Sequence, residues 1–192
     1  MLAGGAARRL GGVLKPALPL GGRPLVTRVL DAAAAASLRV VVGPPALASL
    51  LPAGVRLVQE RPPGGGPVAG LAAGVRLVPP GVRRVAVLSA DLPFLTPAVL
   101  AELEAALADG GDVAVLLDDS DRPQWLCSMW RREALDTRLA AWPDARGVRV
   151  RDLVGELTVH RVAVDGLGPP PWFDCDTEED VRRAEEMLHD SR

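Results

Sequence analysis

Short, unbroken runs of β-branched and aliphatic residues recur along this chain, and the intervals between them carry apolar positions at helical spacing. Val40-Val41-Val42, Val55-Arg56-Leu57-Val58, Val85-Ala86-Val87-Leu88 and Val113-Ala114-Val115-Leu116-Leu117 are continuous rather than alternating. That pattern belongs to strands covered on both faces. Leu25, Val26, Val29, Leu30 and Ala33 share one helical face behind Pro24, a residue suited to a first helical position. Val68, Leu71, Ala72, Val75 and Val78 make a second stripe after Pro67. Thr96-Pro97 opens a third helix through Leu100, Leu103 and Leu107, and Asp109-Gly110-Gly111 ends it. A last helix starts near Thr177, with Val181, Ala184 and Leu188 on one side. Strand and helix in alternation predict an α/β fold, a Rossmann-like three-layer α/β/α sandwich with a mostly parallel sheet.

The stretch Pro62-Pro63-Gly64-Gly65-Gly66 reads as a loop rather than a boundary, because the alternation continues on both sides. Gly168-Pro169-Pro170-Pro171 is a second loop. With no internal repeat, residues 1–192 are expected to form a single domain. The beginning is unusual for such a fold. A full strand normally precedes the first glycine-rich loop, whereas Met1-Leu2-Ala3-Gly4 leaves only a stub. The first strand is therefore expected to be truncated, by a start assigned too late, unless the fold tolerates a short central strand.

The opening segment Leu2-Ala3-Gly4-Gly5-Ala6-Ala7-Arg8-Arg9-Leu10-Gly11-Gly12-Val13-Leu14-Lys15 carries the most chemistry. Its glycines let backbone amides approach a ligand closely, and Arg8, Arg9 and Lys15 add positive charge. No Gly-Lys-Ser/Thr ends it, and the Gly-x-Gly-x-x-Gly spacing fails, so it is neither a P-loop nor a dinucleotide fingerprint. An anion site is the expectation. Lys15 is the only lysine in a chain rich in arginine, which points to a requirement for a compact ammonium. Asp91 follows the run Val85–Leu88, at the carboxyl end of an expected parallel strand, where open sheets build their sites. Thr96 already caps the next helix, which leaves Asp91 free to hold a divalent cation.

Formal net charge is −2, with no long run of one sign, so nucleic acid is not an expected partner. The two cysteines, Cys127 and Cys175, have no zinc or disulfide spacing and read as reduced core thiols. No apolar stretch has the length of a membrane span, and no export leader precedes the first motif, so a cytoplasmic protein is expected. His160 and His189 lack metal-ligand company, and no Ser-His-Asp set is present. Trp125 and Trp130 read as core.

The opening segment resembles the Leu-Ala-Gly-Gly-x-x-x-Arg-x-x-Gly-x-x-Lys signature of nucleotidyltransferases that make molybdenum dinucleotide cofactors. It is most similar to the molybdenum cofactor guanylyltransferase (MobA) family. Gly66-Pro67-Val68-Ala69-Gly70-Leu71, Ser89-Ala90-Asp91-Leu92-Pro93-Phe94, Pro123-Gln124-Trp125 and Phe173-Asp174-Cys175-Asp176-Thr177-Glu178-Glu179-Asp180 resemble later family elements in the same order.

The resemblance implies a fold of the nucleotide-diphospho-sugar transferase type and Mg²⁺-dependent transfer of GMP from GTP to a molybdopterin-type acceptor. Proteins of molybdoenzyme maturation are further implied partners. Lys15, Asp91 and Arg8 would be catalytic. Leu2, Ala3, Gly4, Gly5, Lys15, Glu60, Gly66, Pro67 and Asp91 would bind the nucleotide. Asp91 and Asp176 would hold the metal.

Some of these positions have a second reading. Glu60 lies near the family's ribose-contacting aspartate, and equally suits a solvated loop. Asp176 with Glu179 also reads as a capping box for the last helix. Arg146, Arg149 and Arg151 form either a seat for the pterin phosphate or an exposed helix face. Asp174 and Asp176 stand where guanylyl members carry asparagine, whereas cytidylyl relatives often show aspartate. Gly4-Gly5 and Gly66-Pro67 favour GTP. Cytidylyl transfer, another small-molecule phosphate nucleotidyltransferase, and a non-catalytic nucleotide-binding module are the competing readings.

Overall fold

Three opening residues, Met1 to Ala3, tie the sheet together. The computed structural model describes residues 1–4, 14–164, 166 and 168–190. A hairpin, β1 (Pro19–Leu20) and β2 (Arg23–Pro24), leads into α1 (Leu25–Ala32). Then come β3 (Val40–Val42), β4 (Arg56–Val58), α2 (Pro67–Val75), β5 (Arg84–Leu88), α3 (Pro97–Ala106) and β6 (Val113–Leu117). The second half adds β7 (Pro123–Arg131), α4 (Arg132–Ala140), α5 (Val150–Val154), β8 (Val159–Val162) and α6 (Glu178–Asp190).

Parallel strands β3 and β4 pair on one side, and β5, β7, β6 and β8 follow in that order on the other. Leu2 bridges the two sets, parallel to Val42 and to Ser89. Its amide donates to Leu88 O at 2.7 Å, and its carbonyl accepts from Ala90 N at 2.9 Å. Ala3 N donates to Val42 O at 2.7 Å, and Val42 N to Met1 O at 2.9 Å. The stub is thus a short central strand with ladder partners on both sides. An apolar cleft of about 410 Å³ continues its line between the starts of β3 and β5, lined by residues such as Val40, Val75, Val85 and Ala86.

The mostly parallel sheet is borne out, with one reversed strand. Strand β7 runs antiparallel to both β5 and β6. Sequence reading did not foresee it, because Pro123, Gln124, Ser128 and Arg131 interrupt any apolar run. Its direction follows from the tight turn after β6, since a connection this short joins only antiparallel neighbours. Asp118 builds that turn. Its Oδ1 accepts from Ser120 N at 2.8 Å and Arg122 N at 3.0 Å, and its Oδ2 accepts from Gln124 Nε2 at 2.8 Å. Two expected starts also shift by one residue: β4 starts at Arg56 rather than Val55, and β5 at Arg84 rather than Val85.

Alternation along the strands divides the core between two faces, as a three-layer sandwich requires. Val87, Val113 and Trp130 pack with Val68, Leu71 and Val75 of α2, Leu135 of α4 and Leu153 of α5. Leu88, Ala114, Leu116, Cys127 and Met129 pack on the opposite face with Val29 of α1 and Val99 and Leu103 of α3. Each fully buried Leu or Val of this kind contributes roughly 1.5–3 kcal/mol. Both tryptophans read as core pack there: Trp130 is the largest fully buried side chain among the described residues, and Trp125 is partly buried against the same cluster. Trp130 Nε1 donates to Ser128 Oγ at 2.9 Å, and Ser128 Oγ donates to Trp125 O at 2.8 Å, so no polar atom there is stranded. Helix α2 lies so close to β3 that a Cβ on Gly74 would sit 2.8 Å from Val42 Cγ2. No helix among the described residues is long and apolar enough to cross a membrane.

Candidate active site

Parallel strands leave their carboxyl ends on one edge of the sheet, and the charged residues collect there. Asp91 follows β5 by three residues and is pinned between Ala90 and Leu92, which are 2% and 5% exposed. Thr96 caps α3, its Oγ1 accepting from Val99 N at 3.4 Å, so Asp91 has no capping duty. Lys15 opens a 3₁₀ turn whose Pro16 is buried, and Leu18 N donates to Lys15 O at 3.0 Å. The backbone at Lys15 is thereby fixed beside Asp91.

Lys15 Nζ donates to Asp91 Oδ2 and, at 2.5 Å, to Asp176 Oδ1. The Lys15 and Asp91 side chains are 17% and 18% exposed, against 55% for Asp176, so the first ion pair is the better shielded. Burial alone would depress the Lys15 ammonium, but Asp91 and Asp176 outweigh it and hold Lys15 above the ordinary lysine value. Asp174 has an open side. Desolvation on its inner side, and then the charges of Asp176 and Asp91, raise it above the usual carboxylate range against the pull of Lys15.

A backbone contact brings the distant carboxylate in. Cys175 N donates to Asp91 O at 3.3 Å. The Cys175 side chain is buried with Leu20, Leu25, Phe94 and Ala184, which anchors the segment before α6. Burial pushes its thiol up to about 12, so it is a packing residue rather than a nucleophile. The capping box of α6 sits one residue later than the sequence suggested. Asp180 Oδ2 accepts from Thr177 N at 2.7 Å, and Thr177 Oγ1 accepts from Asp180 N at 3.1 Å. Asp176 is therefore not the cap, and its carboxylate faces the ammonium.

The remaining expected residues fall along the same edge. Leu2 and Ala3 are ladder residues of the stub, and Gly4 continues it, exposed, just past the end of β3. Glu60 follows β4 and closes the glycine-rich loop on itself, its Oε1 accepting from Gly64 N at 2.9 Å. Gly66 caps α2 at φ +93, ψ 179, a conformation open essentially only to glycine, and Pro67 takes the first helical position. Gly147 N donates to Gly65 O at 2.9 Å, fixing the turn from the other side. Gly5 and Arg8 lie outside the described residues. The basic cluster is internally paired: Arg146 Nη2 lies 2.8 Å from Asp144, and Arg149 and Arg151 lie 4.0 and 3.7 Å from Asp152. Reading residue types alone missed Asp118, and it gave Cys175 as a core thiol, which it is, without the backbone bond that ties it to Asp91. Asp118 could have been found in Asp118-Asp119-Ser120-Asp121, a turn-rich run.

Two carboxylate oxygens converging on one cation form a hard donor set suited to a magnesium-sized ion. Among the described residues no three His, Cys, Asp or Glu side chains gather at one point. A divalent ion held there would take two oxygens from the described residues, with its other positions left to phosphate and water.

Comparison with known proteins gives the family. Residues 1–162 match the MobA-like NTP transferase domain. The molybdenum cofactor guanylyltransferase of Rhizobium meliloti is 30% identical, over 98% of this chain and 90% of the relative. That of a Bradyrhizobium species is 32% identical, over 97% and 91%. The crystal structure of molybdopterin-guanine dinucleotide biosynthesis protein A from Archaeoglobus fulgidus superposes with a TM-score of 0.76 at 24% identity, covering 98% and 97% of the two chains. That likeness shows the shared α/β fold. A family match over most of the length, relatives at or above 30% identity, and a charged site at the carboxyl edge of the sheet agree: this chain belongs to the MobA-like NTP transferase family and is a nucleotidyltransferase.

Proposed function

We propose that this nucleotidyltransferase transfers GMP from GTP to the phosphate of a molybdopterin-type acceptor, with Mg²⁺ as the metal. A phosphate oxygen of the acceptor forms a bond to the α-phosphorus of GTP, and the bond from that phosphorus to the bridging oxygen of the β-phosphate breaks. Pyrophosphate carries away the electron pair. Both reactants are anions, so the requirement is neutralisation and alignment rather than a covalent nucleophile. Mg²⁺, when bound, would offset part of the negative charge that develops on the triphosphate oxygens.

The convergence of Lys15, Asp91 and Asp176 at the sheet edge carries the reading. Asp91 and Asp176 would anchor the metal, and Lys15 would neutralise triphosphate oxygens. Gly4 and the Gly66-Pro67 turn, which the family resemblance associates with guanine, would frame the base. Arg8 and Gly5 would complete the phosphate cradle, and Glu60 would sit near the ribose. The relatives' names, both guanylyltransferases, support GTP as donor and molybdopterin as acceptor. Product would then pass to proteins of molybdoenzyme maturation in the cytoplasm.

Labelled GTP, Mg²⁺ and molybdopterin incubated with the protein test this directly. Pyrophosphate release with GTP and not with CTP is expected. Release with CTP alone would move the assignment to cytidylyl transfer, the reading that Asp174 and Asp176 favour by standing where guanylyl members carry asparagine.

A further inference from the structure

One cation holds both anchoring carboxylates, and that cation is Lys15. An ammonium between these two oxygens and a dication between the same two oxygens are mutually exclusive, since like charges would share one point. The ammonium is also movable. The lysine backbone is fastened by the 3₁₀ turn and buried Pro16, and the rotatable bonds of its four-carbon stem let the ammonium move while the backbone stays in place.

We propose that Lys15 holds the metal's place in the nucleotide-free protein and transfers to the incoming triphosphate, so that metal enters with the nucleotide and not before it. This rests on the nucleotidyltransferase reading of the same site. In the free protein the ammonium cancels the repulsion between Asp91 and Asp176 and keeps the segment before α6 docked. A triphosphate presents a denser negative charge at the same edge and draws the ammonium off. The two carboxylates are then exposed to a divalent ion that the phosphates also bind. Between the two carboxylates a dication replaces the ammonium, which stays at the site on the triphosphate. The site therefore resists loading by metal alone, and nucleotide and metal bind with positive coupling.

Because the chain has a single lysine, selective ¹³Cε-lysine labelling gives a one-residue spectrum of the unmodified protein. The α,β-methylene analogue of GTP, added without metal, should shift that signal. Mn²⁺ alone should leave it sharp, whereas Mn²⁺ with the analogue should broaden it. Mn²⁺ binding followed by electron paramagnetic resonance gives the second measurement. Wild-type protein should bind Mn²⁺ at least about tenfold more tightly with the analogue than without it. Lys15→Met should bind Mn²⁺ alone at least about tenfold more tightly than wild type, and adding Asp176→Asn should remove that gain. Equal affinity of wild type and Lys15→Met for Mn²⁺ alone, or broadening of the lysine signal by Mn²⁺ alone, would overturn the exchange. If GMP transfer still proceeds in that case, only the exchange fails. If neither the analogue nor Mn²⁺ binds and no GMP is transferred, the parent reading fails as well.

Discussion

Asp91 and Asp176, far apart in the chain, share one counter-ion: both carboxylates accept from the Lys15 ammonium. The relation depends on Cys175, whose amide donates to the Asp91 carbonyl and whose side chain is buried next to α6. A packing contact in the closing segment therefore sets the spacing of two acidic groups at the sheet edge.

Those groups should differ in weight. Asp91 is shielded and immobilised by buried neighbours, whereas Asp176 is 55% exposed. Asp91→Asn should lower turnover by at least about 100-fold with unchanged circular dichroism, because it removes a charge from a water-poor position. Asp176→Asn should cost less, about tenfold, since solvent screens that charge already. Steady-state pyrophosphate release measures both. Equal losses, or an unchanged rate in Asp91→Asn, would contradict the ranking.

Gly66 joins the glycine-rich loop to α2 at a positive φ that a side chain resists. Gly66→Ala should destabilise the protein by about 1–3 kcal/mol. A lower midpoint in urea unfolding at unchanged slope is the expected result. No shift in midpoint would mean that the turn relaxes freely.

The Asp118 carboxylate is held below its ordinary range, first by the Arg122 amide, with the Ser120 amide and Gln124 adding to it. A carboxyl depressed by folding stabilises the protein above its unfolded value and loses that contribution as pH falls through its folded value. Wild type should therefore exceed Asp118→Asn in melting temperature by a constant margin near neutral pH. That margin should shrink once pH drops below about 4. Thermal scans across this range check the sign, and a margin that grows on acidification would refute it.

Backbone pairing along β5 is one-sided near its start. The bonds from Arg132 N to Arg83 O and from Ser89 N to Leu126 O set the alternation, so Val85 and Val87 pair with β7 and Ala86 faces the apolar cleft beyond Met1. The Ala86 amide should exchange with deuterium markedly faster than that of Val87, as resolved by NMR. Equal protection would show that the cleft edge is closed in solution.

Much of this was legible in the residues. The runs at Val40–Val42 and Val113–Leu117 became strands at those bounds, because continuous β-branched runs have few other low-energy conformations when both faces are buried. Thr96-Pro97 opened α3 for local reasons, a hydroxyl acceptor followed by a preset φ. Lys15 and Asp91 were marked by chemical type and by position relative to strand ends. The reversed strand β7 was not legible. Its polar and apolar residues carry no periodic signal, and only its place between β5 and β6 explains their burial. Nor was the α6 cap: the sequence offers two overlapping Asp/Thr-x-x-acid patterns, and backbone geometry chose Thr177 with Asp180.

The sequence by itself determined the alternation of elements, the residues able to cap or turn them, and the charged groups suited to phosphate and metal, because those depend on neighbours in the chain. Only the tertiary structure decided that Met1 to Ala3 lie between β3 and β5, and that Asp176 meets Asp91 across a single ammonium. Such pairings are set by burial and long-range hydrogen bonds, whose partners no local pattern names.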